Sequence, residues 1–113
     1  MITLSENNFE TKIENEGNMI YVKIYDGKFL CSKLFGLIVG KKAIINRIDT
    51  DTKYRFKGLG KKCISEFEQI AKERGATELF LASENEESHK FYKALNFKKD
   101  PQSTLYSRTI ERD

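Results

Sequence analysis

With 113 residues, 39% of them hydrophobic and 33% charged, and a formal net charge of only +3, the chain has the make-up of one soluble domain, expected over residues 1–113. The apolar content excludes a disordered chain, and acids lie among the bases almost everywhere, so nucleic acid is not expected as a partner. Apolar runs such as residues 34–39 are too short to span a bilayer, residues 1–10 lack the basic and apolar regions of a signal peptide, and Cys31 and Cys63 lack C-x-x-C spacing; the expected setting is the cytoplasm, with no membrane, no disulfide framework and no metal.

Residues 1–8 turn polar after Leu4 and are either a loose arm or a short edge strand. From Phe9 the pattern is that of strands: Phe9, Thr11 and Ile13 alternate with Glu10, Lys12 and Glu14. Glu16-Gly17-Asn18 supplies turn chemistry before residues 19–25 alternate again, and Asp26-Gly27 is a strong two-residue hairpin signal leading into residues 29–39, where Gly36 marks a bulge. Gly40-Lys41-Lys42 turns the chain into residues 43–50. Four consecutive antiparallel strands with no helix among them are therefore expected.

Next comes Tyr54-Arg55-Phe56-Lys57-Gly58-Leu59-Gly60-Lys61-Lys62. Between Lys53 and Ser65 there are five basic side chains and no acid, while Leu59, Cys63, Ile64, Phe67, Ile70 and Ala71 recur at helical spacing. A helix should begin near Gly58 and end at the Gly75 cap, with Lys72 and Arg74 in its last turn; Cys63 falls on its apolar stripe. Helix N-termini repel cations, so bases gathered at one point to an anion that joins them, most simply a phosphate. Neither a P-loop nor a dinucleotide fingerprint fits, because Gly58-Leu59-Gly60 is followed by Lys61-Lys62-Cys63. The plainer reading is a loop with a basic rim.

Residues 78–82 have the continuous apolar look of a strand buried on both faces, and a strand reached through a helix should run parallel to the one before it. Residues 83–85 cap a second helix, Ser83 and Glu86 having capping-box spacing, with Phe91 and Leu95 as its inner stripe and Asn96 as its terminator. Residues 97–99 and 104–110 form a last pair of strands around Asp100-Pro101-Gln102.

Two motifs carry a family resemblance. Arg55-x-x-Gly58-x-Gly60 opening a helix, and Asn85-x-x-Ser88-x-x-Phe91-Tyr92-x-x-x-Asn96-Phe97, resemble motifs A and B of the GNAT superfamily of acetyl-CoA-dependent N-acyltransferases, in the right order and separated by a helix and a strand. Ser88 stands for the usual Ala and Asn96 for the usual Gly. The resemblance covers about residues 43–110 and implies an α/β (α+β) fold: a mixed, mostly antiparallel sheet of about six to seven strands, two main helices and a central β-α-β unit. It implies acetyl-CoA as co-substrate, its pantetheine arm in a wedge between the strands at residues 43–50 and 78–82. The backbone N–H groups of Phe56, Lys57, Gly58, Leu59, Gly60 and Lys61 would hold the pyrophosphate, with Arg55 opening the loop. Ile48 and Thr50 would pair with the pantetheine amides, Asn85 would contact the cofactor, and Tyr92 would protonate the departing thiolate.

Plainer roles stand beside these: Tyr92 in the core, Asn85 as a helix cap, His89 solvated on the outer side, Lys90 and Lys93 on a charged face. No base is obvious, since Ile44 and Ile45 occupy the region where relatives often carry a Glu; Asp49 and Glu84 are the candidates, beside a water relay or an amine that arrives neutral. GNAT members usually have two helices between their first and second strands, and here there is no such segment. The acceptor side is therefore expected to be open, which suits a protein lysine or a site completed by a second copy in a homodimer. The expected function is N-acetyl transfer to an amine; the rival is an acyl-CoA-binding regulatory or docking module without turnover.

Overall fold

The computed structural model describes residues 9–83 and 85–111, and the statements below concern those residues. Alternation of apolar and charged side chains builds β1 (Phe9–Glu16), β2 (Met19–Asp26), β3 (Phe29–Val39) and β4 (Lys42–Thr50), each antiparallel to its chain neighbour. A 3-10 turn at Thr52–Tyr54 leads to α1 (Leu59–Glu73), which crosses over to β5 (Glu78–Ala82); α2 (Glu86–Ala94), β6 (Lys98–Lys99) and β7 (Leu105–Thr109) follow. The strands form one seven-stranded sheet in the order β1-β2-β3-β4-β5-β7-β6, with β4 parallel to β5, so the mixed α/β sheet with its central β-α-β unit is present. No described helix is long and apolar enough to cross a membrane.

Register decides which face is covered. Ile20, Val22 and Ile24 of β2 lie beside Leu34 and Ile38 of β3, Ala43 and Ile45 of β4, and Leu79 and Leu81 of β5, and all are buried. The α1 stripe of Cys63, Ile64, Phe67 and Ala71 settles on them. Arg108 of β7 makes a two-pronged ion pair with Glu68 of α1, at 3.0 and 2.7 Å, which ties the sheet's far side to the helix. Tyr106, the register partner of Leu81, meets Tyr92 of α2, so both helices share one face.

The other face has no helix over it among the described residues. Tyr21 stacks on Phe35 there with ring centroids 4.8 Å apart, and Phe80 is half-buried. The apolar run of β5 thus does not mean burial on both faces: Leu79 and Leu81 face the core, and Phe80 looks out. The bulge expected at Gly36 belongs to the partner strand, because Phe35 pairs with Arg47 and Gly36 with Ile45, leaving Asn46 of β4 as the extra residue. Gly36 is there for a different reason. A Cβ on it would stand 2.5 Å from the Phe67 ring and 2.9 Å from the Ile44 carbonyl oxygen.

Candidate active site

The site starts where two strands part. β4 and β5 pair only as far as Ile45 and Leu81, after which Ala82 of β5 pairs with Leu105 of β7. On the side away from β3, residues 46–50 of β4 continue with no strand beside them among the described residues. The Asp51 N–H donates to the Cys31 carbonyl at 2.8 Å, toward β3; by the alternation of an antiparallel ladder, the peptide groups of Ile48 and Thr50 turn the other way, into the gap. The Thr50 side chain faces α1, its Oγ1 2.8 Å from the buried Ser32 Oγ, which also receives the Cys63 thiol at 3.6 Å.

The chain leaves this edge through an anchored turn. Asp51 accepts from the Lys53 N–H at 3.0 Å, and the Tyr54 hydroxyl donates to Asp26 Oδ2 at 2.7 Å while its ring stacks on Phe29. The Asp26 carboxylate, with burial behind it, pushes the Tyr54 phenol up to about 12, so Tyr54 remains a donor at any ordinary pH. This clasp was not readable from the local pattern, since it joins residues 28 positions apart.

Beyond it the loop opens. Arg55 is extended, Phe56 is fully exposed with φ of 65°, and Gly58 caps α1 with φ of 78° and no side-chain hydrogen bond. A left-handed Gly58 followed by a helical Leu59 aims successive N–H groups at one point, the geometry of an anion nest. The Leu59 side chain itself is core. No acid occupies the first turn of α1, and Lys57 and Lys61 have no ion-pair partner among the described residues. A Cβ added at Gly60 would meet Phe91 of α2 at 3.5 Å and Thr50 Oγ1 at 3.8 Å. The end of β4, the first turn of α1 and one flank of α2 therefore converge on a cation-rimmed cradle that fits a phosphate group.

α2 brings the remaining candidates. Asn85, not Ser83, is its N-cap, accepting from the Glu87 N–H at 2.9 Å, while Ser83 Oγ accepts from the Asn85 N–H. Phe91 is exposed at 39% and lies toward Gly60 instead of in an inner stripe; Tyr92 and Leu95 are the residues that pack on the core. The Tyr92 ring touches Phe91, Phe97 and Tyr106 at centroid distances of 5.2, 6.0 and 5.4 Å. Burial, and then Tyr106, raises its phenol above the ordinary tyrosine range. Its hydroxyl has no hydrogen-bond partner among the described residues.

Two expectations shift. His89 is not solvated: it is half-buried, with Nδ1 2.8 Å from the Tyr106 hydroxyl, beside a cavity of about 490 Å³ between α2 and β7. Sequence reasoning missed this pair, and the only signal was that one histidine stands one turn before the motif tyrosine. Asp49 points to the helix-free face, its carboxylate 2.6 Å from Arg47. Glu84 lies outside the described residues.

Comparison with known proteins agrees with this fold. The structure superposes on the PaiA N-acetyltransferase of Thermoplasma acidophilum in complex with coenzyme A with a TM-score of 0.73, at 23% identity over 81% of this chain and 61% of that one. It superposes on a GNAT-family acetyltransferase of Staphylococcus aureus Mu50 (TM-score 0.76, 13% identity, 84% and 70% covered). It also matches an Escherichia coli N-acetyltransferase of a ribosomal-protein alanine (TM-score 0.72, 15% identity, 88% and 74% covered). This chain thus spans 61% of the length of the Thermoplasma enzyme. No curated protein matches it in sequence. The family model described as "Acetyltransferase (GNAT) family" matches residues 3–97, and with the splayed strands and the cradle at α1 in place, the chain belongs to that family.

Proposed function

We propose that the chain is an N-acetyltransferase that moves the acetyl group of acetyl-CoA onto an amine of a protein, a lysine side chain or an N-terminal amine. The observation that carries this is an unpaired β4 edge beside an uncapped, cation-rimmed helix start, with the half-buried Tyr92 on α2 next to the Phe91 that lies toward Gly60. The N–H groups of residues 56–61 and the Arg55 side chain hold the pyrophosphate, and the Ile48 and Thr50 peptides pair with the pantetheine amides. Asn85 keeps its side-chain N–H groups for the cofactor, because its oxygen is engaged by the Glu87 N–H. Tyr92 carries its proton at neutral pH and gives it to the departing thiolate. Asp49 and Glu84 are the carboxylates proposed to receive the amine's proton, directly or through water; an amine that arrives neutral needs neither. The helix-free sheet face leaves the acceptor side open, which suits a large acceptor better than a small one that must be enclosed.

Gly60→Val gives the cleanest test. Gly60 sits inside α1 without the positive φ of Gly58, and an added Cβ would meet only ordinary contacts in the fold. Calorimetry should show CoA binding near micromolar strength or weaker, lost in Gly60→Val at an unchanged melting temperature, and labelled acetyl transfer should favour protein amines over polyamines and amino sugars. No CoA binding, or equal binding by the variant, overturns the proposal; CoA binding without transfer to any amine establishes the non-catalytic module instead.

A further inference from the structure

Two flanks of α2 do different things. Phe91 leans toward Gly60 and the cradle, whereas His89, two residues and roughly 200° around the helix from it, faces the cavity of about 490 Å³ on the β7 side. That cavity is lined by Lys90 and Lys99, His89, Asn85 and the hydroxyl-bearing residues Ser83, Thr104 and Tyr106, with no carboxylate among the described lining residues. Lys99 is held in place, Nζ donating to the carbonyls of Ser103 at 2.6 Å and Asp100 at 3.2 Å, and the imidazole is fixed by Tyr106. Two lysines, an imidazole and three hydroxyl-bearing residues around one space, with no carboxylate among the described residues that line it, favour an anion.

Its position says what the anion belongs to. Ser83 directly follows β5 and lies two positions past Leu81, where β4 and β5 part; Asn85, at the start of α2, also lines the cavity. The cavity therefore adjoins the end of β5, just past the point where β4 leaves it. Tyr106 touches both His89, at the cavity, and Tyr92, with ring centroids 5.7 and 5.4 Å apart. We infer that this cavity receives an anionic group of the acceptor, a carboxylate or a phosphate carried a few bonds from the amine that takes the acetyl group. The inference rests on the acetyltransferase reading for the word acceptor, and on the cavity alone for the anion.

The chain contains a single histidine, so one imidazole resonance reports on the cavity without assignment. The full chain, with CoA present to fill the cradle, is titrated with acetate and separately with inorganic phosphate at constant ionic strength, chloride being the control. The His89 resonance should move saturably with at least one of the two and not with chloride, and the apparent affinity should fall about tenfold in Lys90→Gln, the loss of one charged hydrogen bond. Which anion moves it decides between carboxylate and phosphate. In transfer assays, peptides bearing Glu or phosphoserine next to the amine should then exceed their Gln or Ser counterparts in kcat/KM by about tenfold, a preference that Lys90→Gln removes. A resonance that responds to neither anion beyond chloride, or responds alike in Lys90→Gln, overturns the anion site; a response without any acceptor preference overturns its assignment to the acceptor. Absence of CoA binding in the calorimetry, with the anion response intact, overturns the transferase reading and leaves the anion site standing.

Discussion

Tyr92 holds a phenol on a ring packed against Phe91, Phe97 and Tyr106, so removing the oxygen leaves the packing in place. A CoA thiolate can depart unprotonated at some cost, and a positioned acid is worth about 10²–10⁴-fold, so Tyr92→Phe should lower kcat within that range while CoA affinity and melting temperature stay near wild type. Because burial raises this phenol from its usual value of 10.0, the alkaline limb of the rate profile that vanishes in Tyr92→Phe should fall above pH 10. Parallel losses of turnover and stability would return Tyr92 to the core. Asn85 and Tyr92 stand out in the sequence because the family spacing marks them. His89 and Tyr106 could not, since their contact joins a helix to a strand 17 positions later and neither residue type is unusual where it stands.

At the scale of elements, α1 lies on the sheet through one close approach. Gly36→Ala drives a Cβ into the Phe67 ring and toward the Ile44 backbone, and overpacking of this kind costs about 1–3 kcal/mol. Denaturant unfolding should show that loss, and Phe67→Leu in the same chain should recover part of it, because the shorter side chain yields the space; strictly additive losses would mean the two residues do not meet. The strands and α1 were legible because their apolar periods are clean. The bulge was misplaced because a glycine in a strand signals either an extra residue or a close neighbour, and only the pairing register, with Asn46 unopposed, tells which. The outward-facing Phe80 misled for a related reason: an apolar run reads as two-sided burial, and nothing local says that one sheet face goes without a helix. The spacing of Phe91 reads as core, whereas α2 rests on Tyr92 and Leu95 and turns Phe91 to the cradle.

Taken whole, the sheet order divides the molecule unevenly in time. β1 to β4 pair with their chain neighbours through short turns, whereas β5 reaches β4 only after the chain has passed through α1, and β7 must then pair with β5 before β6 closes the edge. Short loops close at small entropic cost and long ones later, so the four-strand meander should form first and the cradle, α2 and the C-terminal strands last. A ligand seated mainly on what forms last stabilises the native state more than the barrier. CoA should therefore slow unfolding in stopped-flow measurements and leave the refolding rate unchanged; faster refolding in proportion to CoA would reverse the order. Resistance to proteolysis would then follow cofactor supply: chains without CoA open more often and are cut sooner, which makes the lifetime of the protein a reading of the pool it draws on.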